Sequence, residues 1–434
     1  MRRRDFCAGL MAIPAAAGVA YAQKTRGLPP LTIKEVRVIA TGVGGPYPWI
    51  FVKIITSEPG LYGLGSASYD YQTHTVIAAI EKEMGPFWIG KDPDRIEDLW
   101  QSSNVRSYWR NSAVINNVLS GLDMALWDIK GKRAGMPVYE LLGGKARDAV
   151  PVYAHAGGES FQAVEDDVRQ YWEKGFRHIR AQFGPYGGAG MIPAGKGSRA
   201  QGGYTGPAFD EEQYVNRTVQ MFEHLRAKLG FEPKLLHDVH EHLTPIRAIE
   251  LSRRLDPHQL FFLEDVLPPE QVAWYREIRK VSTTPQAMGE LFISPLEWLP
   301  LVTERLIDFV RNRVSQTGGI TPARKLAAIA EAHGVRTAFQ EGGDNDPINQ
   351  MAAYHIDMSI PNFGIQEENH FLDRVYNVMP GTGVTKAGYL YGSGAPGLGV
   401  DINEEEARKF PVPLQPGEED WRTTRGVDGT IVKP

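Results

Sequence analysis

The chain has 434 residues, of which 42% are hydrophobic and 23% charged, and its formal charge is −5. These figures fit a soluble globular protein with room for two domains or one elaborated barrel. The acidic balance excludes a general nucleic-acid binder, which carries a basic stripe.

Residues 1–22 read as an export signal. Arg2, Arg3 and Arg4 precede Phe6, an apolar run follows from Ala8 to Val19, and Ala20-Tyr21-Ala22 offers small residues for cleavage. Arg3-Arg4-Asp5-Phe6 resembles the twin-arginine signal, which implies a periplasmic or exported protein. The apolar run is shorter than the ~20 residues of a membrane span, so no membrane attachment is expected after signal removal. Cys7, the single cysteine, lies inside the signal, leaving no disulfide and no thiol nucleophile beyond it.

Residues 31–149 predict an α+β unit. LTIKEVRVIATG (31–42) and WIFVKIIT (49–56) alternate as strands, with Gly60, Gly63 and Gly65 marking turns. Helical spacing then takes over at 75–84, 95–101 and 113–134, and Gly135 with Pro137 stops the last helix.

From Val150 short apolar strands alternate with amphipathic helices. Strand candidates are 150–156, 178–182, 234–240, 259–266, 286–291, 308–315, 335–341 and 358–362. Eight such units close a β/α barrel, whose active site lies at the C-terminal mouth of the strands. The Gly/Pro-rich connection 183–207 is long enough to predict a lid over that mouth. Residues 376–434 have little periodicity and are expected to return along the first unit as coil.

Three strands end in an acid: Asp238 in LLHDVHEHLTP, Glu264 in FFLEDVLPPE and Glu290 in QAMGELF. Any strand-end acid can cap a helix or pair with a basic residue. These three recur every 26 residues, about one β/α unit. Three converging carboxylates repel unless a cation neutralises them, and oxygen-only ligation suits Mg²⁺. His240, two residues past Asp238, would share its side of the strand.

GLDMALWDIKGKRAGMPVYELLGG (121–144), LLHDVHEHLTP, RVSQTGGITPARKLAAIAE (313–331) and SIPNFGIQE (359–367) resemble the enolase superfamily, and within it the mannonate dehydratase, or acid-sugar dehydratase, group. The resemblance runs from about residue 31 to the end. It implies a capping domain (31–149), a (β/α)₇β barrel (150–375) and a C-terminal segment (376–434). It implies Mg²⁺ on Asp238, Glu264 and Glu290, and a small sugar acid as substrate. An aldonate such as mannonate or gluconate would lose water to give a 2-keto-3-deoxy acid. A homo-oligomer is also implied.

For this chemistry Mg²⁺ stabilises an enediolate, a base takes the α proton and an acid protonates the departing hydroxyl. His240 is the expected acid. Arg180 would depress the pKa of a tyrosine base, with Tyr186 as candidate and Tyr204 as alternative. His178 and Arg180 replace the K-x-K bases of other branches, which weighs against a mandelate-type racemase. His155, Arg311, Asp344, Glu367 and Asp70 match positions that hold substrate. Gln340 stands where the group carries a histidine, and an amide cannot exchange a proton. An epimerase or racemase of a hydroxy acid, or a silent sugar-acid-binding protein, remain the alternatives.

Overall fold

A computed structural model describes residues 27–184, 188–199, 201–412 and 425–432. The expected export signal and Tyr186 lie outside the described residues.

The capping unit begins with an antiparallel meander: β1 (Ile33–Thr41), β2 (Trp49–Thr56) and β3 (Tyr62–Ser66). Its helices include α1 (Ile96–Arg106) and α2 (Ala113–Ala134). Gly63 and Gly65 do not make turns, as the sequence suggested. They lie within β3, and a Cβ on either would strike the carbonyl oxygens of Ala125 and Gly121 on α2. Glycine there lets strand and helix backbones touch. Gly135 ends α2 at φ +68°, the left-handed closure that glycine favours.

The barrel strands are β4 (Val150–Gly158) and β5 (His178–Phe183). Two short strands then follow in the connecting loop, β6 (Met191–Ile192) and β7 (Ala208–Phe209). The barrel resumes with β8 (Lys234–Asp238), β9 (Phe262–Glu264), β10 (Gln286–Met288), β11 (Phe309–Val310), β12 (Arg336–Thr337) and β13 (Gln366–Glu367). Neighbours pair in parallel from β4 through β12, skipping β6 and β7, and β13 pairs with β4. A parallel bridge from Thr337 to Phe363 completes the ring. The expected fold, a (β/α)₇β barrel under a capping domain, is present.

One strand was misplaced. MSIPN (358–362) is the end and exit of a helix, α9 (Pro347–Ser359), and the eighth strand is Gln366–Glu367. Met358 is apolar because it faces the core from the last turn of that helix, and Pro361 follows just past its end.

Helices α3 (Phe161–Glu173), α4 (Glu211–Leu229), α5 (Pro245–Leu255), α6 (Tyr275–Val281), α7 (Pro295–Thr303) and α8 (Ile320–Ala332) fill the outer ring with α9. Their starts are chemically marked. Ser160 accepts from Ala163 N, Asp210 from Gln213 N, and Ser294 forms a capping box with Glu297. Asp346 caps α9 with one carboxylate oxygen and takes the Ser66 hydroxyl from β3 with the other. That bond ties the capping sheet to the barrel mouth.

The 183–207 connection contains structure. β6 pairs with β7, and β7 pairs with β16 (Arg425–Gly426) from the C-terminal segment, after β14 (Val384–Lys386) and β15 (Tyr389–Tyr391). β15 adds antiparallel to β4. Beyond it Glu404 meets Lys53 at 2.7 Å and Arg37 at 3.3 Å on the capping sheet. Among the described residues no helix is long and apolar enough to cross a membrane.

Candidate active site

A cavity of about 680 Å³ sits between the barrel mouth and the capping unit, within the range of small-molecule sites. His155, Arg180, His240, Glu290, Gln340, Asp344 and Glu367 line it from the barrel, and Tyr47, Tyr69 and Tyr71 from the capping unit.

Asp238 and Glu264 end β8 and β9 and are paired in register. Both side chains are fully buried. Glu290 lies two residues past β10 and reaches the cavity. Two guanidiniums run between these acids. Arg180 Nη1 lies 2.7 Å from Asp238 and 3.2 Å from Glu264. Arg311, wholly buried, approaches Glu264 and Glu290 at 3.5 Å each and Glu367 at 3.1 Å, and it pairs with Asp265. Arg311 therefore lies below the cavity rather than on its wall.

Burial alone would raise the Asp238 carboxyl, but His240, Arg180 and Arg311 hold it well below its ordinary range. Burial pushes the Glu264 carboxyl well above its range, with Asp238 adding to the rise and Arg311 opposing it. The contrast is that of crowded acids with too few cations.

His240 is placed by a turn, not by strand alternation. β8 stops at Asp238, and His240 and Glu241 both take left-handed backbone, φ +51° and +56°. The turn brings His240 N to 2.9 Å from Asp238 Oδ1 and its Nε2 to 2.9 Å from Oδ2. The imidazole thus faces the cavity while held by the strand-end acid.

On the other side, His155 Nε2 lies 2.9 Å from Glu367 Oε1. Burial would raise the Glu367 carboxyl, yet His155, Arg311 and Arg180 bring it down to about 2. Gln340 is buried with its Oε1 unpartnered, on the cavity wall. A buried acceptor without a donor is costly, and a substrate hydroxyl would satisfy it. Asp344 pairs with Arg313.

Asp70 is not among the lining residues. Its charge acts on Arg313, while its neighbours Tyr69 and Tyr71 face the cavity. Tyr204 donates to Pro207 O at 2.9 Å and does not line the cavity either. Gln182, near the end of β5, and Gly184, at the start of the long connection, lie on the cavity wall. None of the described residues of 188–207 lines the cavity.

Sequence reasoning passed over Arg313, Glu241, Asp265 and the three tyrosines. Arg313 and Asp265 adjoin residues already singled out, in RNR and LED. The tyrosines reach the site only through domain packing.

Could the acids hold a metal? Among the described residues no three His, Cys, Asp or Glu side chains already form a ligating cluster, because Arg180 and Arg311 stand between them. The donor chemistry nevertheless fits a hard divalent cation. Asp238, Glu264 and Glu290 offer oxygen alone. With Glu241, Asp265 and Glu367 they outnumber the two guanidiniums.

Comparison with known proteins bears on this site. Residues 28–143 match the family "Mandelate racemase / muconate lactonizing enzyme, N-terminal domain", and residues 163–407 match "Enolase C-terminal domain-like". A D-galactonate dehydratase family member of Paenibacillus sp. (strain JDR-2) is 50% identical over 394 residues, covering 89% of this chain and 96% of its own. A member from Pantoea ananatis (strain LMG 20103) is 48% identical, covering 93% and 99%. The crystal structure of an enolase from Pantoea ananatis, with bound D-gluconate and Mg, superposes with a TM-score of 0.89 at 48% identity, covering 93% of this chain and 100% of that one.

Proposed function

The chain belongs to the enolase superfamily, and from that premise we propose that it is a Mg²⁺-dependent sugar-acid dehydratase. The substrate would be an aldonate such as mannonate or gluconate, and the product a 2-keto-3-deoxy acid. One observation carries the reading: His240 is fixed against Asp238 on the wall of a polar cavity, beside the acids that suit a divalent cation.

Asp238, Glu264 and Glu290 would hold the ion. Magnesium, when bound, supplies the positive charge that makes the substrate's α proton acidic and stabilises the enediolate. A base removes that proton. Arg180, on the cavity wall, supports Tyr186 for this role by favouring the phenolate. His240, as the imidazolium, then gives a proton to the β hydroxyl as the C–O bond breaks, so the hydroxyl leaves as water. The enol that remains tautomerises to the 2-keto acid. His155, Gln340, Asp344 and Glu367 would bind hydroxyls and the carboxylate. Arg311 would act from beneath, by holding Glu264, Glu290 and Glu367 in place, and Asp70 through Arg313. The twin-arginine-like start supports a periplasmic location.

The purified protein, incubated with Mg²⁺ and a panel of aldonic acids, is expected to form a 2-keto-3-deoxy acid from at least one. No product from any member, with metal binding confirmed, contradicts the assignment.

Gln340 favours a second reading. Its amide offers no proton on its side of the cavity, which suits a homologue that binds sugar acids with slow turnover or none. Tight aldonate binding by calorimetry, without product, would support it.

A further inference from the structure

The candidate active-site cavity is larger than the acid assigned to it. A six-carbon aldonate has about thirteen non-hydrogen atoms, and at the roughly 30 Å³ that one water takes in the liquid it fills no more than about 390 Å³. The cavity holds about 680 Å³, which leaves about 290 Å³ unfilled. Part of its wall is aromatic. Tyr47, Tyr69 and Tyr71 reach the cavity from the capping unit, while His240, Arg180 and Glu290 line it from the barrel. The three tyrosines are half-buried, and their backbone is anchored. Tyr69 and Tyr71 meet edge to face at 6.0 Å. They follow Ser66, which is bonded to Asp346. Asp70 between them acts on Arg313, the partner of Asp344. Tyr47 lies in a loop packed on Trp49: a Cβ on Gly44 would strike the indole, and the Trp49 ring meets Phe371 edge on at 5.8 Å.

A phenol offers a flat apolar body with a polar tip. That combination matches the C–H face and hydroxyl rim of a pyranose ring, and a metal-bound carboxylate needs neither. Resting on the dehydratase reading above, we propose that the substrate is an aldobionate, an aldonate carrying a second sugar on a hydroxyl beyond C3, with that second ring packed against Tyr47, Tyr69 and Tyr71. The acid end lies on the barrel side, with His240 and Arg180, and the glycosyl end points to the capping unit. A ring of this size fits the unfilled space at the close packing of a filled site. The reaction keeps the glycosidic bond. The base takes the C2 proton, the C3 hydroxyl leaves as water with a proton from His240, and the enol tautomerises. The product is the substrate less one water, a 2-keto-3-deoxy acid that retains its glycosyl group. The bare aldonate, lacking the second ring, leaves the aromatic wall facing water.

The test is calorimetric titration of the Mg²⁺-loaded full chain with gluconate and with three 4-O-glycosyl gluconates, cellobionate, lactobionate and maltobionate, beside mass spectrometry of each incubation. A Tyr69→Ala/Tyr71→Ala double variant and, separately, Tyr47→Ala are titrated in the same way, with circular dichroism to verify their fold. The expected result is at least one aldobionate that binds at least tenfold tighter than gluconate and loses water with its glycosidic bond intact. In the double variant that preference should shrink to about threefold or less. Gluconate binding as tightly as every aldobionate, or folded variants that all keep the wild-type preference, overturns the proposal. Turnover of gluconate with no aldobionate preference overturns it while the dehydratase reading stands. An aldobionate preference in binding with no turnover of any acid upholds the aromatic subsite and contradicts the dehydratase reading instead.

Discussion

His240 Nε2 stands 2.9 Å from Asp238 Oδ2, on the strand end that directly precedes it in the chain. The left-handed turn through His240 and Glu241 makes this contact. Acid and imidazole are thereby locked as one unit at the cavity wall.

Replacing that imidazole by a neutral amide separates proton donation from metal binding. His240→Asn is expected to lower kcat by about 10²- to 10⁴-fold, while Mg²⁺ affinity changes by no more than a few-fold. Steady-state kinetics beside metal titration checks both.

Gln340 offers the opposite experiment. Its unpartnered oxygen faces the cavity, and a histidine there could accept or donate a proton. Gln340→His is expected to raise kcat on the best aldonate by at least about tenfold, a modest share of general acid–base catalysis. An unchanged rate would show that this side of the cavity takes no part in proton transfer.

Arg311 is fully buried among Asp265, Glu264, Glu290 and Glu367. Arg311→Met leaves these acids without their shared cation. The expected cost is about 3–5 kcal/mol of unfolding free energy, read from the denaturant midpoint. Arg311→Lys keeps the charge but loses the fork that reaches several acids at once, and it should fall between the two.

Asp123, on α2, accepts from Thr321 N at 2.9 Å at the start of α8, so it joins capping unit to barrel. Burial pushes its carboxyl up to about 7, against hydrogen bonds from Thr321 and Ile320. The folded state therefore holds a proton there that the unfolded chain releases near pH 4. Stability from this residue is greatest below about pH 4, falls as pH rises, and reaches its floor near pH 7. Comparing urea midpoints at pH 5 and pH 8, Asp123→Asn should show a smaller drop than the wild type.

The fold was legible because β/α units announce themselves locally. Apolar strands end in an acid at regular intervals, which locates Asp238, Glu264 and Glu290 at one mouth. The eighth strand escaped because the apolar end of α9, just before it, mimics a strand. Gly63 and Gly65 were read as turn residues because a close approach between strand and helix leaves no mark in a single segment. Arg313, Tyr47, Tyr69 and Tyr71 gather through packing between units far apart in sequence. The placing of His240 depends on two left-handed residues that are neither glycine nor asparagine, which no propensity foretells.

The most direct test of the account is calorimetric titration of Mg²⁺ into the wild type and into Asp238→Asn, Glu264→Gln and Glu290→Gln. The account predicts one ion per chain in the wild type, and binding weakened at least about tenfold in each variant. A wild type that binds no divalent cation, or variants that bind it as tightly as the wild type, would contradict it.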